Sequence, residues 1–171
     1  MKNSECTPMR LDYEHAGHHA KTPLKLWLRL FSCATLIETE ISRRLRATFD
    51  ISIAKFDFLA QLYRSPDGVM TMSQLGTCLM VTGGNITGLT DRLAREGLVE
   101  RTPHPSDRRS QVIGLSEKGR AFFETMAEAH EDWIRELLDG LDDGDQEQLM
   151  ENLGALKDTI LENPGRKAGG A

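Results

Sequence analysis

The fold is decided by the stretch Thr71–Gly119, which reads TMSQLGTCLMVTGGNITGLTDRLAREGLVERTPHPSDRRSQVIGLSEKG. It opens with Thr71 and Gln74 in the T-x-x-Q spacing of a capping box, in which each residue satisfies a free backbone N–H of the other at a helix start. This spacing predicts a short helix that ends at about Leu79. The turn-like residues Met80–Gly84 follow and lead into a second helical pattern.

The second helix is predicted to begin after Thr82, as its N-cap, and to end at Glu96, with Gly97 just beyond. Its apolar residues recur every three or four positions and form one buried face: Ile86, Leu89 and Leu93. The opposite face is small, polar or charged: Gly84, Thr87, Gly88, Asp91, Arg92 and Arg95. In a helix-turn-helix, the second helix enters the DNA major groove with its N-terminal residues leading. Small polar residues there allow close approach to base edges, while the arginines further back favour phosphates.

Two short apolar runs, Leu98–Thr102 and Gln111–Leu115, follow and predict a β-hairpin. The segment between them is polar, contains two prolines and carries Asp107, Arg108 and Arg109. A charged hairpin tip is commonly just a solvated surface. Arginines on such a tip are also suited to the DNA minor groove, where the negative potential favours them.

In this order and spacing, these segments resemble the winged-helix core of the MarR family of bacterial transcription regulators. The resemblance is carried by Thr71–Leu75, Val81–Gly97, Leu98–Arg101, the D-x-R of Asp107–Arg109, and Leu115–Gly119. It extends over about Leu24–Leu161. It implies a mainly α fold, a winged helix-turn-helix with long N- and C-terminal dimerisation helices and a small β-hairpin wing.

The resemblance also implies which residues contact DNA. On the recognition helix they are Thr82, Gly84, Asn85, Thr87, Gly88 and Arg92. Ser73 and Gln74 match phosphate-contacting positions at the start of the preceding helix. In the wing, Arg109 matches an arginine of the minor groove, Asp107 matches its orienting partner, and Arg108 lies between them. The implied protein is a homodimeric repressor on a pseudo-palindromic operator of double-stranded DNA.

Further helical patterns flank this core. Thr22 and Pro23 open a helix that is apolar on more than one face, which favours a helix shared between subunits. The last helix, about Gly144–Glu162, has a narrow apolar seam suited to one partner helix. The predicted organisation is an arm over 1–21, a single MarR-like domain over 22–163 and a flexible tail over 164–171. Within the domain, the winged-helix core spans about 54–119 and the dimerisation helices about 22–50 and 116–162.

Composition and charge are compatible with a DNA-binding protein. The net charge is −5, but residues 121–163 carry 13 acidic and 2 basic side chains, so the rest of the chain can still face phosphates. Hydrophobic residues make up 39% and charged residues 27%, which excludes the composition of a disordered chain. The sequence contains neither a transmembrane run nor a secretory signal pattern, so we expect a cytoplasmic protein with no membrane partner.

A narrower resemblance is to regulators of hydroxycinnamate and related aromatic-acid catabolism. It is carried by Leu26–Leu30, Cys33, Leu36–Glu38 and the segment VTGGNITGLTDRL. It implies a small aromatic effector, such as p-coumaroyl-CoA, between the dimerisation helices and the DNA-binding lobe. Candidate ligand-binding residues are Trp27, Arg29, Phe31, Phe56, Phe58 and Trp133. Each aromatic ring could equally belong to the core, and the arginines of the first helix could equally be solvated or contact DNA.

Other interpretations remain open: a thiol- or metal-responsive regulator of the same fold, or an interaction protein that does not bind DNA. Cys33 lies among apolar neighbours, so we expect a buried, inert thiol there and likewise at Cys78. Glu14, His15, His18 and His19 lack a second ligand pair, so neither a metal site nor a cofactor is predicted. The motifs of nucleophilic or phosphate-binding enzymes are also missing from the sequence, which argues against an enzyme.

Overall fold

The computed structural model describes residues 22–79, 83–103 and 111–162, which form a mainly helical fold with a small sheet, as predicted. The predicted arm and tail lie outside these ranges. In chain order the elements are α1 (Thr22–Phe49), α2 (Ile53–Arg64), β1 (Val69–Thr71), α3 (Met72–Cys78), α4 (Gly83–Arg95), β2 (Val99–Pro103), β3 (Gln111–Leu115), α5 (Glu117–Leu138) and α6 (Asp143–Glu162). No helix in the described ranges is long and apolar enough to cross a membrane.

The sheet is antiparallel, with strand order β1-β3-β2. Strands β2 and β3 pair with Arg101 opposite Ile113, which confirms the predicted hairpin. Strand β1 is an addition to the prediction, and it places Met70 opposite Ile113 on the other edge of β3. Three residues are too few to show an alternating pattern, and their partner lies more than 40 residues away along the chain. The sequence therefore carries no local signal for β1.

The described residues divide into two compact units with the boundary between residues 130 and 131, which α5 crosses. In the first unit, α2 is the most deeply buried helix, with Phe58, Leu59 and Leu62 fully enclosed. Each such side chain contributes roughly 1.5–3 kcal/mol to the stability of the fold. The same core includes Leu45 of α1, Leu75 of α3, Leu93 of α4, Ile113 of β3 and Met126 of α5.

Helices α1 and α6 each keep several large apolar side chains exposed. In the first unit, α1 buries Leu28, Ile41 and Leu45 but leaves exposed Leu24, Leu26, Trp27, Phe31 and Leu36. In the second unit, α6 has no buried residue and exposes Leu149, Met150, Leu153, Ile160 and Leu161. Several large apolar side chains exposed on one helix are typical of interaction sites.

Candidate nucleic-acid interface

Helices α3 and α4 form the helix-turn-helix, and a complete capping box fixes the start of α3. Thr71 Oγ1 accepts a hydrogen bond from the Gln74 backbone N–H at 3.3 Å, and Gln74 Oε1 accepts one from the Thr71 N–H at 2.8 Å. The predicted capping box is therefore confirmed. Ser73 and Gln74, the predicted phosphate contacts, are both exposed in the first turn of α3.

The inner face of α4 is buried in the first unit. Ile86, Leu89 and Leu93 are at most 7% exposed, which confirms the predicted face. Thr90 is also fully buried, and its hydroxyl donates to the Ile86 carbonyl at 2.8 Å, which offsets the cost of removing it from water. The burial of Thr90 was not predicted, although its position four residues after Ile86 places it on the same side of the helix.

The outer face of α4 is exposed along its length. The residues described there are Asn85, Thr87, Gly88, Asp91, Arg92 and Arg95. Gly84 lies in the first turn of α4. Thr82 and the wing residues Asp107, Arg108 and Arg109 lie outside the described residues. The structure thus brings the helical candidates onto one surface, and their DNA contacts stay a prediction.

One acidic side chain on this outer face is paired with the wing. Asp91 of α4 accepts a hydrogen bond from the Arg101 guanidinium of β2 in an ion pair. Because the guanidinium offsets the negative charge of Asp91, phosphates approaching α4 meet less repulsion. The same bond connects the recognition helix to the base of the hairpin.

A cleft of about 360 Å³ lies between α1, α2 and α4, and its volume falls within the usual range for small-molecule sites. Its lining includes Glu38, Asp57, Leu89, Asn85 and Arg92. Two of these were predicted as DNA contacts, and none as ligand contacts. This cleft could not be predicted from the sequence, because its walls come from three separate helices and meet only in the fold.

Asp57 lines this cleft and interacts electrostatically with His130, and the pKa values of the two groups are shifted in opposite directions. Burial raises the pKa of Asp57, and the neighbouring Glu38 carboxylate raises it further, against the effects of His130 and Arg64. Burial lowers the pKa of His130, whose ring packs on Phe56 with centroids 5.0 Å apart. The folded state therefore favours the neutral form of both groups.

We expect the midpoint of thermal unfolding to fall as the pH is lowered from about 7.5 to about 5.5. The reason is that the imidazole of His130 binds a proton more readily in the unfolded chain than in the folded one. The folded pKa of His130 lies below its unfolded value of about 6.5. Its contribution to stability is therefore present above that pH and is lost as the pH falls below it. The His130→Gln variant should show a flatter decline in thermal unfolding curves. The Asp57→Asn variant should show a steeper one, because the Asp57 carboxylate raises the pKa of His130 and its loss lowers that pKa further. Equal slopes in wild type and His130→Gln would contradict this account.

The predicted ligand residues fall into separate groups. Trp27 and Phe31 of α1 stack with centroids 5.8 Å apart and are half exposed or more, and Arg29 is exposed elsewhere on the same helix. Phe56 and Phe58 are buried in the core of the first unit. Trp133 lies in the second unit and is partly buried. Their role in ligand binding stays a prediction.

Two arginines of α1, Arg43 and Arg44, are engaged by one carboxylate of the same helix. Arg43 donates to both carboxylate oxygens of Glu40 at 2.7 and 2.8 Å, and Arg44 donates to one of them at 2.7 Å. Hydrogen bonds from the two guanidinium groups, first Arg43 and then Arg44, lower the pKa of Glu40 to about 2. A phosphate ligand would have to compete with Glu40 for these groups.

The expected burial of Cys33 and Cys78 is wrong, because both thiols are exposed. Cys33 lies outside the stripe that α1 buries, and Cys78 is the last residue of α3, in which Leu75 is the buried position. An apolar neighbourhood in the sequence buries a helical residue only if it faces the packed side. Among the described residues, no group of three potential ligands could hold a metal ion. The segment with Glu14, His15, His18 and His19 lies outside them.

Comparisons with known proteins identify transcription regulators as relatives of this chain. A family model described as MarR family matches residues 49–110. The chain is 30% identical to the HTH-type transcriptional repressor YetL of Bacillus subtilis over 151 residues, which cover 84% of this chain and 90% of YetL.

Solved structures agree with the sequence comparison. AbsC, a MarR family transcriptional regulator from Streptomyces coelicolor, superposes with a TM-score of 0.70 at 23% identity, over 84% of this chain and 97% of AbsC. Sco3205, a regulator of the same family and organism solved in complex with DNA, gives 0.68 at 25% identity, over 85% and 88% of the two chains. The chain belongs to the MarR family of DNA-binding winged-helix transcription regulators.

Proposed function

We propose that this chain is a repressor that binds operator DNA as a homodimer and is released by a small aromatic effector, with a hydroxycinnamoyl-CoA such as p-coumaroyl-CoA as the first candidate. The observation that carries DNA binding is the division of α4 into a buried apolar face and an exposed face of small, polar and basic residues. This is the arrangement a helix needs to enter a major groove. The description of YetL as a repressor supports the direction of regulation.

Dimer formation is supported by the exposed apolar side chains of α6 and by three exposed leucines of α1, Leu24, Leu26 and Leu36. A second copy with the same surface would cover them through a two-fold interface. Two-fold symmetry then requires a pseudo-palindromic operator whose half-sites lie about 34–36 Å apart, one helical turn of DNA. An effector that favours another separation of the two lobes would release the DNA.

The aromatic effector is supported by the exposed stack of Trp27 and Phe31 on α1, and Arg29 is exposed on the same helix. A planar acyl group can stack on such rings, and the phosphates of a CoA moiety would be attracted to the guanidinium. By thermodynamic linkage, operator DNA weakens effector binding by the same factor by which the effector weakens DNA binding. The coupling free energy is roughly 1–3 kcal/mol in typical cases. The cleft between α1, α2 and α4 is a second place where a ligand could alter the position of the recognition helix.

The test is a fluorescence-anisotropy titration of the full chain on the DNA upstream of its own gene and on a scrambled duplex. Between about 50 and 200 mM salt, affinity should fall by roughly 10³-fold or more if at least six phosphates are contacted. p-Coumaroyl-CoA should release the operator, whereas the free acid and CoA alone should not. The Trp27→Ala variant should bind the operator but respond less to the thioester, and Thr39→Ala, at an exposed polar position of α1, should respond as wild type does.

The outcomes separate the parts of the proposal. Operator binding that ignores both compounds would remove the effector assignment and leave the repressor. Release by peroxide instead of the thioester would favour the thiol-responsive alternative. Failure to bind any promoter duplex would favour an interaction protein of this fold.

A further inference from the structure

The C-terminal end of α4 is connected to α2 by an ion pair between distant parts of the sequence. Lys55, in the first turn of α2, lies with its Nζ 2.5 Å from Oε1 of Glu96, the residue directly after α4. The Lys55 side chain is only 19% exposed and that of Glu96 43%. A largely buried ammonium is screened less by salt than a surface charge, so its partner matters more.

The same end of α4 is connected to the start of α5. Lys118 Nζ donates to the Glu96 carbonyl at 2.8 Å, and Ser116 Oγ donates to the Gly97 carbonyl at 2.6 Å. These donors satisfy carbonyls at a helix C-terminus, where positive charge is also favourable. Side chains from two neighbouring elements thus fix the last turn of α4.

We propose that Lys55 and Glu96 are positioning residues for DNA recognition, which act by setting the angle of α4 without touching DNA. This inference rests on the proposed binding of operator DNA. With 13 residues, α4 is about 20 Å long, so a tilt of about 10° at its C-terminal end would move its N-terminal end by about 3 Å. Binding sites need their contacting groups held within about 0.5 Å.

Glu96→Gln is the decisive variant, because two explanations predict opposite results. If Glu96 acted only through its charge, removing a carboxylate from the DNA-binding lobe would reduce repulsion and strengthen DNA binding. If Glu96 positions α4, the variant should bind the operator more weakly, by about tenfold, as expected for coupled charged residues in contact. Lys55→Met should weaken binding to a similar extent.

The reversed pair Lys55→Glu/Glu96→Lys restores an ion pair at unchanged net charge and should recover operator affinity to within about threefold of wild type. Glu128→Gln is the matched control, because it removes an exposed carboxylate of α5 that is not part of this ion pair. It should bind the operator as wild type does. Thermal midpoints measured in parallel separate positioning from loss of the fold. A merely structural role would lower the midpoint and leave the affinity of the folded fraction unchanged.

Hydrogen exchange of the free protein gives a second measurement that does not depend on DNA. Backbone amides of Glu96, Gly97 and Leu98 should exchange about tenfold faster in Glu96→Gln than in wild type or Glu128→Gln, because the end of α4 opens more often. Unchanged exchange, or operator binding at least as tight as wild type, would overturn the proposal. If the unaltered chain bound no DNA, the repressor function would fail, and exchange would still decide whether the ion pair holds α4.

Discussion

Gly119→Ala is expected to destabilise the first unit by about 3 kcal/mol or more, the upper range for forcing an extra methyl group into a filled site. A Cβ at Gly119 would lie 1.9 Å from the carbonyl oxygen of Leu98 and 2.8 Å from its carbonyl carbon. These are backbone atoms, so rotating a side chain cannot relieve the contact. Either α5 or the start of β2 has to move.

Hydrogen bonds around this position oppose such a movement. The Leu98 carbonyl accepts the Ser116 backbone N–H at 3.1 Å, and the Gly119 N–H donates to Ser116 Oγ at 2.9 Å. Leu98 itself is buried. Shifting α5 away from Leu98 would break the bonds that begin the helix and that join it to the end of α4.

Thermal unfolding followed by circular dichroism should show the midpoint of Gly119→Ala lowered by about 6–12 °C. Gly88→Ala is the matched control, since it makes the same change inside a helix of the same unit where a Cβ meets nothing within 4 Å. It should raise stability by up to about 1 kcal/mol through helix propensity. A Gly119→Ala protein that melts at the wild-type temperature would contradict the close approach of α5 to Leu98.

Gly88→Glu is expected to weaken operator binding by about 100-fold while leaving the fold intact. Gly88 lies on the exposed face of α4, and the space around it accommodates a longer side chain. A carboxylate there would stand among DNA phosphates, and a repulsion of about 3 kcal/mol at a partly screened distance corresponds to that factor.

Gly88→Gln separates charge from size, because glutamine has nearly the same shape without the negative charge. We expect it to weaken binding only about tenfold, and anisotropy titrations at two salt concentrations would measure both variants. The gap between glutamate and glutamine should narrow at high salt. Equal affinities of the two variants would place Gly88 away from the phosphates and would require another docking face of α4.

Features set by neighbouring residues could be predicted from the sequence. The capping box of Thr71 and Gln74, the buried face of α4 and the β2–β3 hairpin each depend on spacings within a few residues, and each is confirmed. The exposure of Cys33 could not be predicted in this way, because α1 is apolar on several sides and only packing decides which side is covered.

The parts of the candidate site that escaped prediction depend on residues far apart in the chain. Strand β1 forms only against β3, the cleft forms only between α1, α2 and α4, and Lys55 meets Glu96 across 41 positions. A charge in a sequence has many possible partners, and local propensity does not choose among them. These contacts are determined by the tertiary fold and not by neighbouring residues.

The position of β3 between β1 and β2 has a consequence for biosynthesis. Strand β1 directly precedes the helix-turn-helix and β2 directly follows it, yet both are held by β3, which is made later. A nascent chain that has not yet exposed Gln111–Leu115 outside the ribosome has no central strand to which the two flanking strands can pair. The sheet on which the helix-turn-helix is mounted can therefore form only after both of its helices have been synthesised.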